Sequence, residues 1–493
     1  MSNDQHNGVA NAKRLFLGSS FALIATSVAF AMVGATMGAM KEHFVLTNAE
    51  IGWVGGAALW GFAISIFIFG PLCDVLGMKL IFRLAFVGHF IGVLTMVFAS
   101  GFTTLFIGAL ILAFGNGLVE AAANPLVTTI YPDRKTEMLN KFHVWFPGGI
   151  AIGGLIAYFM DNAGITSWQL KLLVILIPTV IYGLIFLGQK FPATERVQSG
   201  VSNKDMIKGT LLRPFFWLIF FAMMMTASVE LGPNRWIPAV LESAGIPGIL
   251  VLVWINLLMA VMRYYAGPFV HKLAPTGILF LSAIISGIGL YWLSYTDTLL
   301  SAIAAGTVFA LGVCYFWPTM LGITSERVPK GGALALALVG GIGTIIVGLV
   351  TSPVMGKIAD TYLPDKLPEE KTIVVMHEII DTYPELMAQA KGKTGNDYKV
   401  AIEAAEKVLD EKEKTGILPP IATANAMRSA IAANPEASSA KHAKELLGPA
   451  ENYAGKISFR YVVPLSLILT VVFGILYFRD KMKGGYKKEE ITA

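Results

Sequence analysis

Three polar residues stand four apart in an otherwise apolar stretch: Asn116, Glu120 and Asn124. On a helix that spacing puts them on one face. Their neighbours, Leu110 to Phe114 and Ala121 to Ala123, are apolar or small. A carboxylate at membrane depth costs roughly 2.5–3.5 kcal/mol unless it faces a cavity or a partner. The stripe is therefore expected to wall a solute path, with Glu120 contacting solute and linking its movement to an ion. The structural alternative is an interhelical hydrogen bond, which asparagine alone could make. A second pair, Glu230 and Asn234, lies in TASVELGPNRWIP, where Gly232 and Pro233 are expected to interrupt the helix. Broken membrane helices often supply solute and ion sites. At 1.5 Å per residue Glu230 is expected roughly 24 Å from the inner end of its span, in the outer half. A salt bridge to Arg235 would be its structural role. Arg263 is a candidate carboxylate partner or structural pair, and we place it with the gating residues. His143 could hydrogen-bond a solute or titrate near neutral pH, although it is expected close to an inner helix end. His89 is expected to be structural. Trp145 and Trp317, with Trp236 and Trp254, could cover the apolar face of a ring-shaped solute, though many membrane tryptophans only anchor at the interface.

These side chains need a membrane scaffold. The chain has 493 residues, 55% hydrophobic and only 14% charged, against about a quarter charged in soluble domains. Twelve apolar runs are long enough to cross a bilayer. They fall at about 16–40, 51–70, 80–99, 103–130, 142–161, 168–188, 214–240, 248–268, 276–295, 299–323, 332–355 and 460–478. The first run is expected to stay as a helix, because no cleavage site follows it. The expected organisation is a tail over 1–15, a six-helix half over 16–188, a basic linker over 189–213, a second half over 214–478 and a tail over 479–493. Lys and Arg gather in the linker, both tails and alternate loops, so both termini are expected in the cytoplasm. The halves read as a repeat. Gly117 precedes Pro125, a charged turn and a Gly-rich helix; Gly312 precedes Pro318, SERVPK and another Gly-rich helix. Residues 357–459 exceed ordinary loop length. Their Ala, Glu and Lys runs favour helix. The expected result is a helical insert between helices 11 and 12 on the outer side, as a solvated cap or, more sharply, a lid or docking surface. Cys73 and Cys314 suggest neither a disulfide framework nor a metal cluster. No nucleotide loop, metal set or Ser-His-Asp arrangement is present, so no enzyme, cofactor, metal or nucleic-acid partner is expected.

Between the second and third runs stands Gly70-Pro-Leu-Cys-Asp74-Val-Leu-Gly77-Met-Lys79. Gly77 permits a tight bend, and Asp74 can cap a helix or pair with a cation to latch one conformation. The segment resembles the signature loop of the major facilitator superfamily, so Gly70, Asp74, Gly77 and Lys79 are expected to control conformation. The stretch Gly117-Leu-Val-Glu120-Ala-Ala-Ala-Asn124-Pro125, followed by Leu139-Asn140, resembles the fucose–proton symporter family within it. So do Phe44 to Asn48, Arg263 to Pro275, Trp317-Pro318-Thr319 and Ser352 to Gly356. The resemblance covers nearly everything but the insert and tails. It implies an all-α membrane protein of twelve helices in two halves, importing a sugar by alternating access, with Glu120 in solute or proton coupling. Sodium coupling remains open; lipid is the surrounding partner, and a monomer in the cell inner membrane is expected. Two departures stand out. Where the fucose symporters carry an aspartate in helix 1, this chain has Gly34, and His143 aligns with a glutamine. They argue against L-fucose itself and against a two-carboxylate relay. The alternatives are a carrier or exporter of another small organic solute, and a transport-dead sensor using the insert.

Overall fold

The computed structural model describes residues 11–44, 46, 48–389 and 393–491. Of the turn after helix 1 that carries the family resemblance, Val45 and Thr47 lie outside the described residues, as do residues 1–10 of the N-terminal tail. The described residues hold helices and turns and no strand. In chain order the helices are α1 (Ala12–Phe44), α2 (Asn48–Leu76), α3 (Met78–Val97), α4 (Phe102–Ile130), α5 (Lys135–Phe142), α6 (Trp145–Asn162), α7 (Trp168–Leu173) and α8 (Leu176–Phe186). Two short linker helices follow, α9 (Glu195–Gln198) and α10 (Asn203–Leu211). The second half comprises α11 (Pro214–Glu242), α12 (Gly248–Tyr264), α13 (Ala266–Leu293), α14 (Leu299–Val313), α15 (Phe316–Arg327), α16 (Gly332–Ile346) and α17 (Ser352–Tyr362). The insert adds α18 (Glu369–Gln389), α19 (Lys393–Thr415) and α20 (Pro420–Ala433), and α21 (Ser438–Met482) closes the fold.

Among the described residues eleven helical stretches are long and apolar enough to cross a membrane, and the 17-residue α12, eighth in chain order, is a shorter apolar helix that brings the number to twelve. Several spans are broken rather than straight, but the one expected to break at Gly232 and Pro233 is not: α11 runs through both as one helix, because the neighbouring turns keep their helical backbone around the proline. α5 and α6 form one crossing, α14 and α15 another, and a π-turn over Val347–Thr351 joins α16 to α17. Within α13 the backbone breaks at Ala274, with φ 58°, just before Pro275. Residues 266–273 therefore prolong α12, and the next crossing starts at Pro275.

The halves repeat each other in packing. A methyl on Gly92 of α3 would lie 2.5 Å from the Leu112 nitrogen of α4. In the second half a methyl on Gly312 of α14 would lie 2.2 Å from the Ser286 nitrogen of α13. Both pairs let backbones touch, which is how membrane helices gain contact where lipid offers no hydrophobic drive. Every residue from Gly115 to Ile130 is buried, and so is every residue from Phe316 to Glu326. These corresponding segments end where the halves meet, at the end of the bundle that carries the termini.

The insert has a core of its own, built from Val375, Met376, Ile379, Tyr383, Ala401, Ala405, Met427, Ala430 and Leu447. It rests on the second half: Asn452 Nδ2 donates to the Val240 carbonyl at 2.6 Å, and Lys456 Nζ lies 2.7 Å from Asp297 Oδ1. The last span begins far upstream of the expected residue 460. α21 runs unbroken for 45 residues, because the Ala/Lys/Glu-rich stretch before it propagates helix into the membrane segment. The insert is thus continuous with the last crossing.

Candidate functional site

Glu120 sits nearly three turns before the end of α4 and is 4% exposed. Asn124 Nδ2 donates to its Oε2 at 2.6 Å. Asn124 Oδ1 lies 3.1 Å from His143 Nε2, and His143 Nδ1 lies 3.9 Å from Glu120 Oε1. These three side chains form one buried triangle in the first half. His143 is deeper than the sequence suggested. The helix starts at Lys135 rather than 142, which puts His143 eight residues beyond its first residue, roughly 12 Å along the axis.

Across the interface stands Arg263, 1% exposed. Its Nη2 donates to Glu230 Oε1 at 2.7 Å, its Nε to the Cys314 carbonyl at 2.6 Å, and its Nη1 to the His143 carbonyl at 3.1 Å. One guanidinium thereby ties α11, α12 and α14 of the second half to the α5–α6 junction of the first. Glu230 pairs with Arg263 and not with its sequence neighbour Arg235. The reason is phase: five residues rotate about 140° around a helix. The same link sets Glu230 level with His143, so both carboxylates belong to one cluster spanning the two halves. The Trp317 backbone amide lies beside Glu230, yet Glu230 Oε2 is buried without a well-formed hydrogen bond, as is Asn234 Oδ1 one turn further on.

Asn116 is not brought into this cluster. Its Oδ1 meets His89 Nε2 at 2.9 Å, and Tyr182 OH completes the set at 3.1 Å from His89 Nδ1. A step of four residues advances about 400°, so the stripe drifts by about 40° per step and Asn116 has turned toward α3. His89 is a buried, hydrogen-bonded core histidine. Trp145 is half-buried at the start of α6, where its carbonyl accepts from Ser27 Oγ at 2.9 Å. Trp317 is buried against Gly343. Trp254 is 40% exposed, donates to Thr307 at 2.8 Å, and stands apart from the cluster; Trp236 packs on Gly356.

The residues expected to control conformation lie at the terminus-bearing end. A methyl on Gly70 would sit 2.0 Å from Ala337 Cβ, so α2 and α16 touch there across the halves. Asp74 accepts from Arg196 Nε at 2.6 Å and from Thr194, which fastens the α2–α3 turn to the linker. Gly77 has φ 78°, which glycine adopts without strain. Lys79 is half-buried beyond it.

Further contacts close this end. Asn140 Nδ2 donates to Thr319 Oγ1 at 3.3 Å, and the Thr136 N–H donates to Glu326 Oε1 at 3.3 Å. A methyl on Gly322 would lie 2.3 Å from Thr136 Oγ1. Lys135 binds Glu195 at 2.6 Å. The C-terminal tail adds Tyr486 OH to Glu326 Oε2 at 2.8 Å, while Lys488 reaches the Asp133 carbonyl of the first half. Arg327 pairs with Asp480 at 2.8 Å under the Tyr486 ring. Thr136 and Glu326 were not singled out from the sequence, and Thr319 only within the Trp317-Pro318-Thr319 resemblance; the repeat of charged turns after α4 and α15 was the available signal. Among the described residues no cluster of His, Cys, Asp and Glu could hold a metal ion, and both cysteines are free.

Comparisons with known proteins fit this architecture. The solved structure of FucP in the outward conformation superposes with a TM-score of 0.58, at 18% identity, over 70% of this chain and 92% of that one. A gentisate transporter of Corynebacterium glutamicum is 25% identical over 230 residues, 43% of this chain and half of that protein. NiaP of Bacillus subtilis, whose name assigns it to niacin and nicotinamide, is 22% identical over 64% of this chain and 82% of its own length. The sequence pattern of the Major Facilitator Superfamily matches residues 19–351. By its sequence, and in agreement with its fold, this chain belongs to the major facilitator superfamily.

Proposed function

We propose that the protein imports a monosaccharide or close sugar derivative across the cell inner membrane, by proton symport with alternating access. The observation that carries this reading is the buried cluster of Glu120, Asn124 and His143, facing Arg263 and Glu230 across the two halves. Carboxylates held between halves can offer acceptors to sugar hydroxyls. A proton on Glu120 removes the charge that would otherwise oppose passage of the site through its occluded state. Trp317 and Trp145 supply apolar faces nearby, with Asn234 as a further hydrogen-bonding group. FucP, described as a fucose:proton symporter, supports the sugar and proton parts of this reading.

In this reading the terminus-bearing end is cytoplasmic, as the Lys and Arg distribution argues. With that end sealed by Gly70, Asp74, Thr136 and Glu326, the conformation is outward-facing. One proton charge moving down 100 mV releases about 2.3 kcal/mol, enough to concentrate a neutral solute roughly fifty-fold. A second reading, a carrier of another small organic solute, draws support from the gentisate and niacin names of the two relatives. Counterflow in proteoliposomes with labelled hexoses, hexosamines, sugar acids, gentisate and niacin separates the two. Exchange of a sugar that rises with outside acid supports the first. Exchange confined to the aromatic solutes overturns it.

A further inference from the structure

We propose that Glu230 sets the charge selectivity of the site: it masks Arg263, so the solute taken is a neutral polyhydroxylated molecule and not a carboxylate. The inference rests on the transporter reading above and deepens it.

Arg263 is the one cation of the cluster, and Glu230 Oε1 already faces it at 2.7 Å. The other ionisable groups around it are Glu120, His143, Cys314 and Tyr315, and His143 and Cys314 turn backbone carbonyls, which are acceptors, toward the guanidinium. Arg235 lies about 140° around α11 from Glu230 and forms no ion pair among the described residues. With His143 neutral, the cluster is neutral when Glu120 carries a proton and negative when it does not. Neither state offers a free positive charge to an anion.

The pairing is also single-point. An arginine fork can hold a carboxylate through two parallel bonds, but here one oxygen takes the arginine and Oε2, beside the Trp317 amide, is left buried without a well-formed hydrogen bond. Asn234 Oδ1, one turn away on the same helix, is in the same condition. Of the guanidinium's five N–H groups, three are used. Unspent acceptors beside unspent donors match a group that both gives and takes a hydrogen bond. A sugar hydroxyl does so; a carboxylate only accepts. It would meet Glu230 as a like charge, and such juxtapositions are strongly disfavoured.

The test uses matched pairs that differ in charge: glucose with glucuronate, and nicotinamide with nicotinate. Purified full-length protein is titrated with each. The expected result is a preference of at least tenfold for the neutral member of any pair that binds. Glu230→Gln should shift that ratio toward the acid by tenfold or more, and Glu230→Gln with Arg263→Gln should return it. A wild-type preference for the acid, or an unchanged ratio in Glu230→Gln, overturns the inference. Binding of the pyridine pair alone defeats the sugar reading, while its ratio still judges the charge rule. A ligand-independent measurement closes the gap. Acetate should raise the thermal midpoint of Glu230→Gln, whose guanidinium is unmasked, and leave the wild type unmoved. Flat curves for both proteins overturn the proposal.

Discussion

The closed end of the bundle makes one residue unusually exacting. A methyl added at Gly70 would stand 2.0 Å from Ala337 Cβ, where ordinary contacts lie between 3.4 and 4 Å. The next atoms, Ala337 Cα at 3.4 Å and the Ala333 carbonyl at 3.6 Å, are tolerable. Gly70→Ala therefore collides with one methyl group and with nothing else, and only while α2 and α16 are together. Overpacking of this kind costs about 1–3 kcal/mol, which corresponds to a shift of roughly 5- to 160-fold in a two-state equilibrium. The helix propensity gained from alanine is common to both states and drops out. The assay is thiol labelling by an impermeant reagent at Ser325→Cys, a site buried at this end, in inside-out vesicles. The native Cys73 and Cys314 are fully buried and give a quiet background. Labelling should speed up at least fivefold in Gly70→Ala and return to the original rate in Gly70→Ala with Ala337→Gly. Unchanged labelling, or no rescue by the second substitution, would mean that the contact between Gly70 and Ala337 does not hold this end closed.

Arg263→Ala should lower stability by about 3–5 kcal/mol, because it strands a buried Glu230 carboxylate; thermal unfolding in detergent measures this, and a loss under 1 kcal/mol would speak against the link. Asn452→Ala should cost only about 1 kcal/mol, since Ser243 Oγ still donates to the Val240 carbonyl at 2.8 Å; chemical denaturation checks it. Removing residues 484–493 deletes the contacts of Tyr486 and Lys488 to Glu326 and Asp133. That truncation should raise labelling at Ser325→Cys several-fold while leaving the thermal midpoint of the bundle nearly unchanged.

Twelve crossings in two halves were legible because twenty-residue apolar runs have few other uses. Glu120 was legible for the same reason in reverse, as a charge where charge is costly. The i, i+4 rule joined Glu120 to Asn124 correctly. It failed for Asn116 because a helix overshoots a full turn by about 40° at each such step. Arg263 could be named from sequence only as a candidate partner. Its three acceptors lie at 143, 230 and 314, and such separations leave no local pattern. The depth of His143 was misjudged because Lys135, Glu137 and Lys141 made the first two turns of its helix read as a loop. They stay helical because Lys135 and Glu137 are buried and paired. The length of α21 was missed for a related reason: hydropathy marks where a span is apolar, not where its helix begins.

If the proposed symport holds, a proton moves with the solute through Glu120. The direct measurement is the pH of a lightly buffered bath around proteoliposomes as a transported sugar is added. Wild-type protein should alkalinise the bath, and Glu120→Gln should exchange sugar without any pH change. Equal alkalinisation from both proteins, or uptake with no proton movement in the wild type, would contradict it.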